Sequence, residues 1–385
     1  NELENQLDYT FGDTLPAPGT TLEVAPGVRW IRMALPFALD HINLWLLRDE
    51  CDAADAENGS GAKIQGWTVV DCCVDRQESR AQWGSIFADA LQGLPILRVI
   101  VTHMHPDHIG LAHWLCAKWN APLWISATDY YVAKINTLGT SANGGEAAAQ
   151  FFRTHGLDDA AVLDAISVRC DYYADLVPTV PPRLHRMQDG DTVRMGGRSW
   201  HCISGFGHAP EHIALHCAEA GLLIGGDMML PRISTNVSVY DTEPEANALQ
   251  QFLDSIDRFA PLAADTLTLP SHGKPFRGLH TRIAQLHAHH AQHLAAVLAA
   301  AAATGGVTAA DVLPVLFRRQ LDVHQTTFAM GEAIAHLHKL WRDGDLRRVT
   351  GARGMLRFCP TPQGLAKLKA HPTARTLGAD LPVST

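Results

Sequence analysis

The chain has 385 residues, 46% apolar and 18% charged, with 31 Gly and 21 Pro, which excludes a disordered, collagen-like or low-complexity polymer. At roughly 150 residues per domain, its length suits two domains, or one large domain with an appendage. A formal charge of −9 excludes a protein whose whole surface tracks nucleic acid, although residues 306–385 are mildly basic, with 11 Lys/Arg against 6 Asp/Glu.

The first third alternates short apolar runs with turn residues. GVRWIRMAL (27–35), HINLWLLRD (41–49), GWTVVDCCVD (66–75) and LRVIVTHMH (97–105) are rich in β-branched and aromatic residues and bounded by Pro, Gly, Asp or Asn, so they predict strands. Asp107 fits the N-cap of a helix over HIGLAHWLCAKW, closing at Asn120 before Pro122, and PLWISATD returns to strand character. From about 130 to 180 the periodicity turns helical, through EAAAQFFRTHG and DDAAVLDAISVRC, and ends in the Pro-rich VPTVPPR. Strand signals resume in DTVRMGGRSWHCISGFG, IALHCAEAGLLIGGDMM and DTLTLPSHG. This order predicts an α/β body with a helical insertion.

After Pro275 the pattern is mostly helical: a long helix from His280 to Ala303, two further helical segments, then a hairpin DLRRVTGARGMLRFCP. Two helices and a short basic hairpin suggest a small winged-helix-like module. The expected division is a catalytic domain over 1–290, with the insertion at about 130–180, and a C-terminal domain over 291–385. Eight cysteines without a CxxC pair fit reduced thiols, and a cytoplasmic location is the economical reading. The acidic, polar start NELENQLDYTFGD lacks a signal-peptide pattern, and the blandest stretch, Leu294 to Ala303, is about half a membrane span.

The sharpest chemical signal is THMHPDHIG at 102–110. His103 and His105, two apart on an extended chain, can point the same way and bind one metal, and Asp107 and His108 follow at the turn into a helix. Further ligand types recur at later strand ends: His208 in GFGHAPEH, Asp227 in LLIGGDMML and His272 in LPSHGKP.

In that order, H-x-H-x-D-H, G-H, G-D and S-H-G resemble the metallo-β-lactamase superfamily of hydrolases, over roughly residues 25–280. The resemblance, of glyoxalase II-like type, implies an αββα sandwich with metals at one edge. It implies that His103, His105 and His208 hold one metal, Asp107, His108 and His272 a second, and that Asp227 bridges them. Asp71, in VVDCCVD, matches the position of a supporting acid that orients a ligand. The neighbouring Cys72 and Cys73 depart from the family pattern and read as core residues. True β-lactamases of this fold lack the bridging Asp, so the resemblance points to a general hydrolase.

An oxygen and nitrogen donor set suits two divalent ions, zinc first, with iron or manganese also accommodated. The expected reaction is attack of a metal-bridged hydroxide on a thioester, ester or lactone carbonyl of a small acyl substrate, with Asp107 shuttling the proton. The alternative is a metal-dependent endoribonuclease whose basic tail holds RNA; the acidic body weighs against it, so neither nucleic acid nor membrane is expected as a partner.

Further candidates rest on weaker signals. His212, four residues after His208, is expected near the metals in a catalytic role, touching substrate or supporting a ligand. Arg232, Ser234, Asn236 and Tyr240 follow Asp227 in a loop that can reach substrate. Tyr130/Tyr131, Phe151/Phe152 and Tyr172/Tyr173 are aromatic pairs that can line an acyl pocket or pack in the core. The histidines 287, 289, 290 and 293 are read as a solvated or interdomain face, since no carboxylate accompanies them on their helix. The tail helix carries Phe328, Met330, Ile334, Leu337 and Leu340 as an apolar stripe, leaving domain packing, a homodimer or a wall of the cleft as its roles.

Overall fold

The structure, a computed structural model, describes residues 3–52, 63–139 and 144–370. Seven strands, β1 (Leu22–Ala25), β2 (Val28–Ala34), β3 (His41–Asp52), β4 (Lys63–Val70), β5 (Ile96–Ile100), β6 (Leu123–Ser126) and β7 (Leu184–Met187), form one sheet in chain order. The first four strands meander antiparallel, and β4 to β7 run parallel. Between them lie α1 (Gln77–Asp89), α2 (Pro106–Ile109), α3 (Ala112–Trp119), α4 (Ala127–Asn136), α5 (Gly145–Thr154), α6 (Ala160–Ser167) and α7 (Tyr172–Leu176). A second sheet has the order β12-β11-β10-β9-β8, built from β8 (Thr192–Met195), β9 (Arg198–Gly205), β10 (His212–Cys217), β11 (Leu222–Gly226) and β12 (Leu267–Pro270), with α8 (Ala248–Asp257) before its last strand.

The sheets face each other across a core of Trp30, Trp45, Val70, Ile100, Trp200, Ile213, Leu215, Ile224 and Leu269. The outer face of the first sheet is covered by α1 and α3 through Trp83, Ile86 and Leu115. On the outer side of the second, Ala214 and Leu223 share a core with Phe252 and Ile256 of α8. Strand β3 shows why a period of two suffices: Ile42, Leu44 and Leu46 enter the helix-side core, Trp45 and Leu47 the inter-sheet core. The architecture is the expected αββα sandwich.

Two expected elements are cut short, and both cuts matter for the site. The strand predicted over 66–75 stops at Val70, because Asp71 and Cys73 adopt left-handed φ values of 64° and 71° and turn the chain. The strand predicted over 97–105 stops at Ile100, so His103 and His105 converge from a bent segment rather than by strand alternation. The single helix expected after Asp107 is two, α2 and α3, broken at Gly110 and Leu111, where Leu111 N–H donates to Cys73 O at 2.9 Å. A Cβ at Gly110 would sit 2.7 Å from that carbonyl. Asp107 therefore lies inside α2, whose N-cap is His105, and its carboxylate is free for other work.

The remaining chain forms α9 (Leu279–Thr304), α10 (Ala309–Leu316), α11 (Val323–Arg342), a hairpin of β13 (Leu346–Thr350) and β14 (Leu356–Pro360), and α12 (Pro362–Ala370). Capping boxes at Thr308/Asp311 and Asp322/Gln325 start α10 and α11. The 26-residue α9 is continuous through residues 290 and 291, where the division was expected. Met330, Ile334, Leu337 and Leu340 of α11 pack with Ile283, Leu286 and Val297 of α9 in the same core as α8. Among the described residues no helix is long and apolar enough to cross a membrane.

Candidate metal centre

Seven side chains from four loops converge at one edge of the sandwich. Ligand-type atoms of His103, His105, His208 and Asp227 lie within 4.8 Å of one another, as do those of Asp107, His108 and His272. Asp227 faces both groups: Oδ2 is 3.2 Å from His208 Nε2, and Oδ1 is 3.5 Å from His108 Nε2 and 3.4 Å from His272 Nε2. Asp107 Oδ2 closes the second group, 3.4 Å from His272 Nε2 and 3.6 Å from His108 Nε2.

The far side of each ring decides what its near side can do. The Thr102 hydroxyl donates to Asp71, so its lone pair accepts from His103 Nδ1 at 3.0 Å. His208 Nδ1 donates to Asn236 O at 2.7 Å. Both rings thus present an unprotonated Nε2, 3.2 Å apart, to His105 Nδ1 at 2.9 and 3.1 Å. One proton on His105 satisfies only one of those lone pairs, whereas a divalent cation accepts all three. In the second group, His108 Nδ1 donates to Asp71 Oδ2 at 2.8 Å and His272 Nδ1 to His41 O at 2.7 Å. His108 Nε2 and Asp227 Oδ1 are buried without a hydrogen-bond partner. Orphaned buried donors and acceptors of this kind, aimed at one another, fit metal ions.

The charges agree. Burial disfavours a charged His272, but the Asp227 and Asp107 carboxylates override it and hold its pKa up to about 10. Burial, with the like-charged His208 ring, pushes His105 down to about 3. The two carboxylates thus attract positive charge to the second group, and the first presents neutral imidazoles.

Each loop is held by contacts that the sequence explains only in part. Asp71 accepts from the backbone N–H of Thr102 at 2.8 Å as well as from His108, so the left-handed turn after β4 fixes the orientation of one candidate ligand and the start of the histidine segment. Asp129 of α4 was not anticipated. It accepts from Met104 N–H at 2.8 Å and from Glu211 N–H at 2.6 Å, tying the His103/His105 segment to the His208 loop. Burial pushes its carboxyl up to about 6. Asn43 of β3 donates to Pro270 O and Gly273 O at 2.9 and 3.0 Å, clamping the loop that carries His272.

The Asp227 loop depends on glycine. Gly226 has φ +54°, and a Cβ there would meet His212 Nε2 at 2.1 Å. His212 is fully buried, accepts from Asp227 N–H at 3.3 Å and packs beside His103, ring centroids 5.0 Å apart. It does not line the cleft, so the expected catalytic role is corrected to a positioning one.

Above the cluster opens a cleft whose apolar wall includes Leu35, Phe37, Tyr172, Ile233 and Phe328, with Thr235, Asn236 and His324 as polar groups. Asn236 was expected to reach it. Arg232 is not among the lining residues; it is exposed and lies 3.8 Å from Glu4. Tyr240 is also outside the lining. Tyr130 is buried in the first-sheet core with its hydroxyl donating to Pro181 O at 2.9 Å. Phe151 packs on Phe152 and His155. Neither lines the cleft, because these helices bury those rings to close their own core. Of the three aromatic pairs only Tyr172 lines it, while Tyr173 is buried and donates to Met104 O. Phe37 and His324 were missed, because they belong to segments remote in the chain from the H-x-H-x-D-H motif. At the mouth, Arg169 donates to His324 Nδ1 at 2.6 Å and lies 3.8 Å from the Tyr172 ring centroid.

Comparison with known proteins places this geometry. Residues 64–292 match a family described as the metallo-beta-lactamase superfamily, and residues 294–361 one described as metallo-beta-lactamase-like, C-terminal domain. A solved beta-lactamase domain protein from Burkholderia ambifaria is 52% identical, with 94% of this chain and 100% of that chain covered and a TM-score of 0.86. A metallo-beta-lactamase family protein from Thermus thermophilus is 26% identical, covering 88% of this chain and 100% of that one, with a TM-score of 0.68.

Proposed function

This chain belongs to the metallo-β-lactamase superfamily of hydrolases, and on that premise we propose that it is a dinuclear metal-dependent hydrolase of thioester, ester or lactone bonds in small acyl substrates. The observation that carries the reading is Asp227, whose two carboxylate oxygens face two separate groups of histidines beneath an apolar cleft. His103, His105 and His208 would hold one cation, Asp107, His108 and His272 the other, with Asp227 shared. Two divalent ions, zinc or else iron or manganese, would supply Lewis acidity and acidify a water toward neutral pH.

The chain's own residues do the rest. Asp71 and Thr102 keep His108 and His103 in the tautomers that leave Nε2 free. Asp107, at the cleft lining, is placed to pass a proton to the leaving group. Asn236 donates one amide hydrogen to Glu332, at 3.2 Å, and keeps the other for a substrate carbonyl. Phe37, Tyr172, Ile233 and Phe328 offer an apolar surface that favours an acyl chain and excludes water. His324 and Phe328 come from α11, so in this reading the segment after residue 290 walls the pocket rather than holding RNA.

The test is a panel of thioesters, esters, lactones and single-stranded RNA, with Zn, Mn and Fe supplied separately to the metal-free chain. Cleavage of at least one acyl class, abolished by chelation, is the expected result. Degradation of RNA with every acyl substrate left intact would overturn the proposal.

A further inference from the structure

Beyond the last cleft ligand in the chain, α9 and α11 each place an i,i+4 pair of ligand-type residues on facing sides. From α9 come His289 and His293, with ring centroids 4.1 Å apart; from α11 come Glu332 and His336. One ligand-type atom from each of His293, Glu332 and His336 lies within 4.8 Å of the others. His336 and Glu332 are fully buried, His289 nearly so, and His293 half-buried.

The hydrogen bonding is incomplete in a directed way. His336 Nδ1 donates to Glu332 O at 2.9 Å, which leaves Nε2 as its free face, with only a long 3.4 Å contact to His290 Nδ1. Glu332 Oε2 accepts from Asn236, but Oε1 has no partner, and neither do His293 Nδ1 and His289 Nε2. Leaving a buried carboxylate oxygen and several imidazole nitrogens unpaired in one spot costs about 1–3 kcal/mol each, so such a group calls for an occupant. Burial pushes the Glu332 carboxyl up to about 8, so a cation entering here displaces its proton, and holds His336 down to about 3, which keeps that imidazole lone pair available.

We propose that His293, Glu332 and His336, with His289 beside them, form a further metal site that takes a single divalent transition-metal ion of the zinc class and clips α9 to α11. Imidazole nitrogens with one carboxylate oxygen are the donors such ions prefer, and calcium or magnesium would require more oxygen. The site is structural: it lies among the core residues that join the two family segments, and none of its residues lines the cleft above the candidate metal centre.

Its test counts metal. The full chain is stripped with a chelator, reloaded with excess Zn(II) alone, desalted and analysed by mass spectrometry of the metal. Wild type is expected to retain one Zn equivalent more than His293→Gln, while His287→Gln, altering a half-exposed residue of the same helix paired with Asp257, matches wild type. His293→Gln also keeps whatever metal-dependent hydrolysis the wild type has, since His293 touches nothing in the cleft. Equal zinc in wild type and His293→Gln, or equal losses in both variants, overturns the proposal. The comparison reads this site whether or not the cleft is an acyl hydrolase.

Discussion

The carboxylate of Asp71 and the ring of His108 meet at 2.8 Å, Oδ2 to Nδ1, although 37 positions separate them in the chain. Asp71→Asn keeps the volume but replaces one acceptor oxygen by a donor, so it no longer fixes which His108 nitrogen carries the proton. Metal affinity is expected to fall about 10- to 100-fold with unchanged circular dichroism, as read by competition with a chelating dye. Unchanged affinity would mean that the contact only packs the loop.

Asp227→Asn removes the one carboxylate that faces both histidine groups. Turnover of any substrate found by the panel should drop at least about a hundredfold in kcat/KM, with the fold retained. An active variant would refute the shared role.

At Gly226 the backbone is left-handed and the space for a Cβ is filled by His212. Gly226→Ala should cost about 1–3 kcal/mol in denaturant unfolding and displace the Asp227 loop, lowering metal occupancy as well. A variant as stable and as fully metallated as wild type would contradict this account.

Phe328 reaches the cleft from α11. Phe328→Ala should raise KM for long apolar acyl chains, lowering kcat/KM by about tenfold, and leave short acyl substrates within about twofold, since only the former cover the ring. Equal losses for both would point to disturbance of the metals instead.

Burial holds His155 down to about 4. As pH falls below the ordinary value of 6.5, the unfolded chain takes up a proton that the folded one refuses. The stability contributed is whole above pH 6.5 and is lost toward pH 4, at about 1.4 kcal/mol per pH unit for such a group. The thermal midpoint of His155→Phe should therefore fall less between pH 7 and pH 5 than that of wild type. Parallel pH curves would exclude His155 as a source of acid lability.

The seven residues singled out by motif are the ones the structure gathers, because each lies in the segment that follows β5, β9, β11 or β12, and beside His208, Asp227 and His272 the residues Gly207, Gly226 and Gly273 leave a local mark. The cleft walls were far less legible. Tyr130, Phe151 and Tyr172 are equivalent as aromatic pairs in sequence, and only packing separates the last from the others. Asp129 reads as an ordinary residue of a helix start and is in fact a tie between two ligand loops. The histidines of α9 were read as lacking a carboxylate, and Glu332 supplies it from another helix. Strand period reveals faces, not the distant partners those faces meet.

The last lining residues of the cleft, His324 and Phe328, follow His272 in the chain by a long helix and more. During synthesis, every candidate ligand at the sandwich edge, together with Phe37, Tyr172 and Ile233 of the wall, leaves the ribosome before the part of the wall that α11 supplies. The cleft is thus complete only once α11 has emerged and packed against α9.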